Sequence, residues 1–84
     1  MNSKHRKTLR AVFAEPVSGG IRWADIEALF VALECKVVEG KGSAVRFERG
    51  GVVGYFHRPH PRKEAKRYQV MNARVFLSKL GVTP

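Results

Sequence analysis

Gly50 and Gly51 stand between two runs, Ala44–Arg49 and Val52–His57, in which apolar side chains alternate with polar or exposed-type ones. A Gly-Gly pair in that setting marks a two-residue β-hairpin, because the favoured tight turns need positive φ at one or both central positions. No other feature restricts the fold as strongly. With the glycines as the loop, Arg49 faces Val52, and the ladder pairs Phe47 with Gly54, Arg46 with Tyr55, Val45 with Phe56 and Ala44 with His57. Side chains alternate along a strand, so Val45, Phe47, Val52, Gly54 and Phe56 share one face, while Ala44, Arg46, Glu48, Val53, Tyr55 and His57 share the other. The first set suits a core and the second suits solvent or a ligand. Directly opposed Cβ atoms lie roughly 4.5–5.5 Å apart, which puts His57 beside the small side chain of Ala44 and diagonal to Arg46. An imidazole next to a guanidinium on an open sheet face is suited to phosphodiesters.

The flanking segments supply what the hairpin packs against. Asn2 or Ser3 can cap a helix running to about Ala14, with Leu9, Val12 and Phe13 as its apolar stripe and Pro16 as its stop. Its other face carries Lys4, His5, Arg6, Lys7 and Arg10, which reads either as a solvated surface or as a phosphate-facing arm; His5 is expected to be exposed. Trp23, Ile26, Leu29, Phe30 and Leu33 recur at helical spacing, with Asp25 near the positive end of the helix dipole. Trp23 shares that stripe, so it reads as a packing residue and not as a base-stacking platform. Cys35 to Glu39 reads as a short strand that enters the hairpin through Gly40-Lys41-Gly42. The Gly-Lys-Gly-Ser turn could offer backbone N–H groups and a lysine to a phosphate, yet it is equally an ordinary strand connection, and the full P-loop pattern is absent.

Beyond the hairpin, Pro59 and Pro61 cannot continue a sheet interior, so His57 to Pro61 forms a stiff cationic exit strip. Arg62, Lys63, Lys66 and Arg67 extend its positive surface beside Glu64. From about Gln69, the residues Val70, Ala73, Phe76, Leu77 and Leu80 mark a last amphipathic helix, ended by Gly81. The predicted order is α-α-β-β-β-α: an α+β fold with a three-stranded antiparallel sheet, helices on one of its faces and the other face open. One domain is expected over residues 1–84, with an N-terminal helix in 1–15 and a core in 22–82.

The chain's 84 residues make a second domain implausible. Sixteen Lys and Arg against seven Asp and Glu give a net charge of +9, which points to a polyanionic partner without saying which. Cys35 is the only cysteine, so no intramolecular disulfide exists, and no Cys/His set has zinc-site spacing. A reduced, cytoplasmic setting is the default expectation. The basic start MNSKHRKTLR is not followed by the apolar run of a signal peptide, so none is expected, and no 18-residue apolar run occurs.

Four stretches together resemble the HicA family of bacterial toxins. They are the W-x-x-I-E-x-L pattern from Trp23, the turn and strand Gly42-Ser43-Ala44-Val45-Arg46-Phe47, the strip Phe56-His57-Arg58-Pro59-His60-Pro61 followed by Lys63-Glu64, and the closing Leu80-Gly81-Val82. The strip is similar to that of the longer, helix-prefixed branch of the family. The resemblance implies a fold like a double-stranded-RNA-binding domain and a metal-independent, cofactor-free endoribonuclease that cleaves mRNA and is inhibited by a HicB-type antitoxin. It implies no membrane partner, and no DNA for the toxin alone. In much of the family the catalytic histidine follows a Gly-Ser pair on the second strand; that position here is Ala44. Three readings stay open: another histidine serves, the position was changed in an inactivated variant, or the chain is no nuclease.

Metal-free RNA cleavage needs a base, an acid and positive charge around the transition state. Histidine suits the proton work because its reference pKa of about 6.5 keeps both forms accessible near neutral pH. His57 is the candidate base or acid, reaching across the hairpin towards the place of the family histidine at Ala44, and His60 is its candidate partner. Arg46 and Arg58 are candidate phosphate binders, supported by Lys41, Ser43, Arg62 and Lys63, with Tyr55 available for stacking. A non-catalytic RNA-binding module would use the same charge and the same tyrosine. A protein-interaction domain docking an acidic partner would use the charge alone.

Overall fold

A computed structural model describes residues 1–84 and contains α1 (Ser3–Phe13), α2 (Trp23–Ala32), β1 (Lys36–Glu39), β2 (Ala44–Arg49), β3 (Val52–His57) and α3 (Arg67–Lys79). The sheet is antiparallel in the order β1-β2-β3, and the helices lie against one of its faces in a double-stranded-RNA-binding-domain-like arrangement. The hairpin register is the expected one: Arg49 opposes Val52, Arg46 opposes Tyr55 and Ala44 opposes His57. Gly50 and Gly51 have φ of 56° and 83°, the positive values that a tight hairpin turn requires at both central positions.

The expected inward face is the core face. Val45, Phe47, Gly54 and Phe56 are buried together with Trp23, Ile26, Leu29 and Phe30 of α2 and Val70, Ala73, Phe76 and Leu77 of α3. Phe30 meets Phe47 and Phe76 edge-on, with centroids 4.9 and 5.0 Å apart, the geometry in which the positive edge of one ring meets the negative face of another. Trp23 packs 5.4 Å from Phe56, as its place on the α2 stripe predicts. A Cβ at Gly54 would come 2.8 Å from the Phe76 ring, so only glycine lets α3 close on β3.

Helix ends lock the layers together. The Asn2 Oδ1 accepts the His5 N–H at 2.8 Å, capping α1. At the far end of α1, Arg74 of α3 donates to the carbonyls of Val12 and Ala14. α2 and α3 both close with a left-handed residue, Glu34 at φ 65° and Gly81 at φ 77°. Behind these, the N–H of Cys35 returns to the Phe30 carbonyl at 3.1 Å and that of Val82 to Leu77 at 2.9 Å. Arg49 donates to the carbonyls of Leu33 and Leu80, both at 3.1 Å. One guanidinium at the hairpin tip thus serves the negative ends of two helices.

Three local expectations are corrected. His5 is half-buried and its Nδ1 is enclosed without a partner, because α1 packs on α2 and carries that side chain into the seam. α3 begins at Arg67, ahead of Gln69, since the Lys66 N–H is held by the Gln69 side chain at 2.9 Å. Cys35 finishes the α2 cap and does not start β1. No helix is long and apolar enough to cross a membrane.

Candidate nucleic-acid interface

The sheet face turned away from the helices carries a hollow of about 240 Å³ lined by Val38, Gly40, Ala44, Arg46, Tyr55 and His57, among others. Strand alternation brings these groups together: the Ala44–His57 and Arg46–Tyr55 pairs are neighbours on one side of the β2–β3 ladder. Tyr55 is 74 % exposed. At the base of the hollow β1 runs out close to β2, where a Cβ at Gly40 would lie 2.9 Å from that of Ala44.

His57 is the best-anchored group of the set. Its Nδ1 lies 3.2 Å from the Ser43 Oγ, which fixes one ring nitrogen and leaves Nε2 for a substrate. Its backbone is anchored as well. The buried Gln69 donates from Nε2 to the His57 carbonyl at 2.6 Å, and the Arg58 N–H reaches the Ser43 carbonyl at 2.9 Å. Arg46 donates from Nε to Glu48 at 3.0 Å, and its terminal N–H groups have no protein partner. Lys41 is exposed in the preceding turn.

Arg58 sits differently from the phosphate-binding place expected of it. Its Nε and Nη2 donate to the Glu27 carboxylate at 2.9 and 3.0 Å, and its Nη1 and Nη2 to Glu39 at 2.6 and 2.9 Å. Chiefly through the hydrogen bonds from Arg58, both carboxyls are held below their ordinary value of 4.5, with the Trp23 indole N–H adding to the effect at Glu27 while burial opposes it. The same pairing raises the guanidinium's own pKa. Arg58 therefore braces the exit strip against α2 and β1, and its charge is already answered by two carboxylates.

His60 and His57 line separate hollows. His60 is grouped with Arg22, Arg58, Pro59, Arg62 and Lys63 around a hollow of about 350 Å³. The strip is fastened there by the Trp23 N–H to the Lys63 carbonyl at 2.9 Å and the Ala65 N–H to the Ile21 carbonyl at 2.7 Å. No three His, Cys, Asp or Glu side chains converge on a common point.

Sequence reasoning missed Glu27, Glu39 and Gln69. Glu27 left a faint signal, standing four residues after Trp23 so that the indole N–H reaches its carboxylate at 2.9 Å. Gln69 left none, because its partner is a main-chain carbonyl twelve residues away.

A family model for the HicA toxin of bacterial toxin–antitoxin systems matches residues 23–82. No curated protein and no solved structure matches the chain. The matched span takes in α2, the whole sheet, α3 and every residue around the His57 hollow, and the chain belongs to the HicA toxin family.

Proposed function

We propose that this toxin is a metal-independent endoribonuclease that cuts mRNA with His57 as its acid–base group and is silenced by a HicB-type antitoxin. The carrying observation is the imidazole directly opposite Ala44, steadied by Ser43 and two strand positions from Arg46, which pairs with Glu48 through Nε alone and keeps its terminal N–H groups for a phosphate. Ala44 occupies the place where much of the family projects its histidine, and His57 reaches the same hollow from the facing strand. In the proposed reaction the His57 Nε2 takes the proton of a ribose 2′-hydroxyl while O2′ bonds to phosphorus. The P–O5′ bond breaks, and the departing oxygen takes a proton from water. Arg46 stabilises the charge that builds on the non-bridging oxygens. Lys41, Tyr55 and, in the neighbouring hollow, His60, Arg62 and Lys63 guide the strand; Arg58 acts by holding the strip that carries His57.

One observation favours a second reading: a single imidazole lines the His57 hollow, with no second proton carrier of that kind beside it. An inactivated toxin that binds RNA without cutting it would have this site. Incubating the purified chain with mRNA in excess EDTA separates the two. Cut RNA supports the nuclease, and retarded but intact RNA supports binding alone.

A further inference from the structure

β3 is an outer strand of the sheet, and its main-chain bonding is fixed at both ends. The two-residue turn makes Arg49 and Val52 a hydrogen-bonded pair, after which bonded and non-bonded pairs alternate. The Arg58 N–H to Ser43 carbonyl bond closes the same series at the other end. Gly54 and Phe56 therefore spend their main-chain groups on β2, whereas Val53, Tyr55 and His57 aim theirs out of the sheet. The His57 carbonyl is taken by Gln69. The N–H and C=O groups of Val53 and Tyr55 have no protein partner.

Beside this open edge runs a groove of about 190 Å³ between β3 and α3, lined by Val53, Tyr55, Asn72, Val75 and Lys79, among others. Val75 is the exposed apolar residue that α3 brings to this groove, and it is 51 % exposed. An open strand edge next to a partly apolar helix face is the arrangement in which extended peptides add to a sheet.

We propose that this edge and groove are a docking site for an extended, acidic segment of the antitoxin, which adds a fourth strand alongside β3; this rests on the toxin–antitoxin reading above. Main-chain donors and acceptors alternating along an edge are matched by a polypeptide strand, and nucleic acid offers no such ladder. The net charge of +9 and the lysine at the groove's rim, with no carboxylate in its lining, favour an acidic occupant. The same charge opposes a second copy of this chain. The added strand would lie about 4.8 Å from β3 and turn alternate side chains to each face. Apolar ones would cover Val75, and acidic ones would emerge next to Tyr55, in competition with RNA for the positive sheet face.

Amide hydrogen exchange of the toxin, free and in complex with its antitoxin, tests this. Val53 and Tyr55 amides slowed at least tenfold in the complex, with the exposed α2 residue Val31 unchanged, is the expected result. The variant Val75→Glu should keep the thermal melt of the wild type and bind antitoxin at least tenfold more weakly. A complex in which both amides exchange as in the free toxin, or one that Val75→Glu leaves equally tight, overturns the docking site and leaves the nuclease reading standing. Slowing that appears with toxin concentration alone assigns the edge to self-pairing and overturns it too. Absence of any complex removes the antitoxin partnership and the docking site with it.

Discussion

The Ser43 hydroxyl and the His57 imidazole are 3.2 Å apart across the mouth of the β2–β3 hairpin, Oγ to Nδ1. The contact orients a ring that stands on an exposed strand, where an unrestrained imidazole would sample several rotamers. Ser43→Ala should lower the RNA cleavage rate about three- to tenfold, the size of one modest hydrogen bond of about 0.5–1.5 kcal/mol. Ser43→Thr, which keeps the hydroxyl, should recover most of the loss. Steady-state cleavage by the three proteins checks this, with the change expected in kcat and not in KM, because the serine acts on the ring and not on the substrate.

Ala44 and His57 are cross-strand partners, and the hollow between them opens to solvent. Ala44→His should therefore place a second imidazole beside the first without disturbing the core face, since position 44 points away from it. Cleavage should rise, by up to the roughly 10²–10⁴-fold that a positioned acid or base contributes. A cleavage assay across pH 5 to 9 checks both the gain and the appearance of a second ionising limb.

Arg58 holds Glu27 and Glu39 below their ordinary value of 4.5. A carboxyl whose pKa is lower in the folded chain than in the unfolded one stabilises the fold fully above the unfolded value, and that contribution drains away as pH falls through the folded one. The brace should therefore weaken below about pH 4.5. Glu27→Gln should cost about 1–2 kcal/mol near neutrality, allowing for the site's partial exposure to solvent, and should flatten the acid limb of stability. Urea melts of both proteins between pH 3 and 7 measure the two effects together.

The hairpin was legible in the sequence because its information is local. Two glycines fix the turn, the turn fixes the register, and the period of two then sorts every side chain between faces. That chain of consequences placed Phe47 and Phe56 inward and Arg46, Tyr55 and His57 outward, as found. The amphipathic stripes of α2 and α3 were legible for the same reason. The partners of Arg58 were not, since Glu27 and Glu39 meet it only after α2 and β1 have folded onto the exit strip, from sequence distances of 31 and 19 residues. Nothing local to Arg49 or Arg74 marks them either, since their guanidiniums close helix ends far away in sequence. Charge count therefore overstates the cations available to RNA. Glu34 gave no warning either: its left-handed backbone at the end of α2 is a place where glycine would be the ordinary choice.

The most direct measurement is single-turnover cleavage of a defined mRNA, in EDTA, by the wild-type chain and by His57→Ala. Position 57 is exposed on an outer strand, so the variant should fold and bind RNA as before, which a melt and a retardation assay confirm on the same samples. A fall in cleavage of at least about a hundredfold is the expected outcome. Equal rates from the two proteins would contradict the assignment of the chemistry to this imidazole.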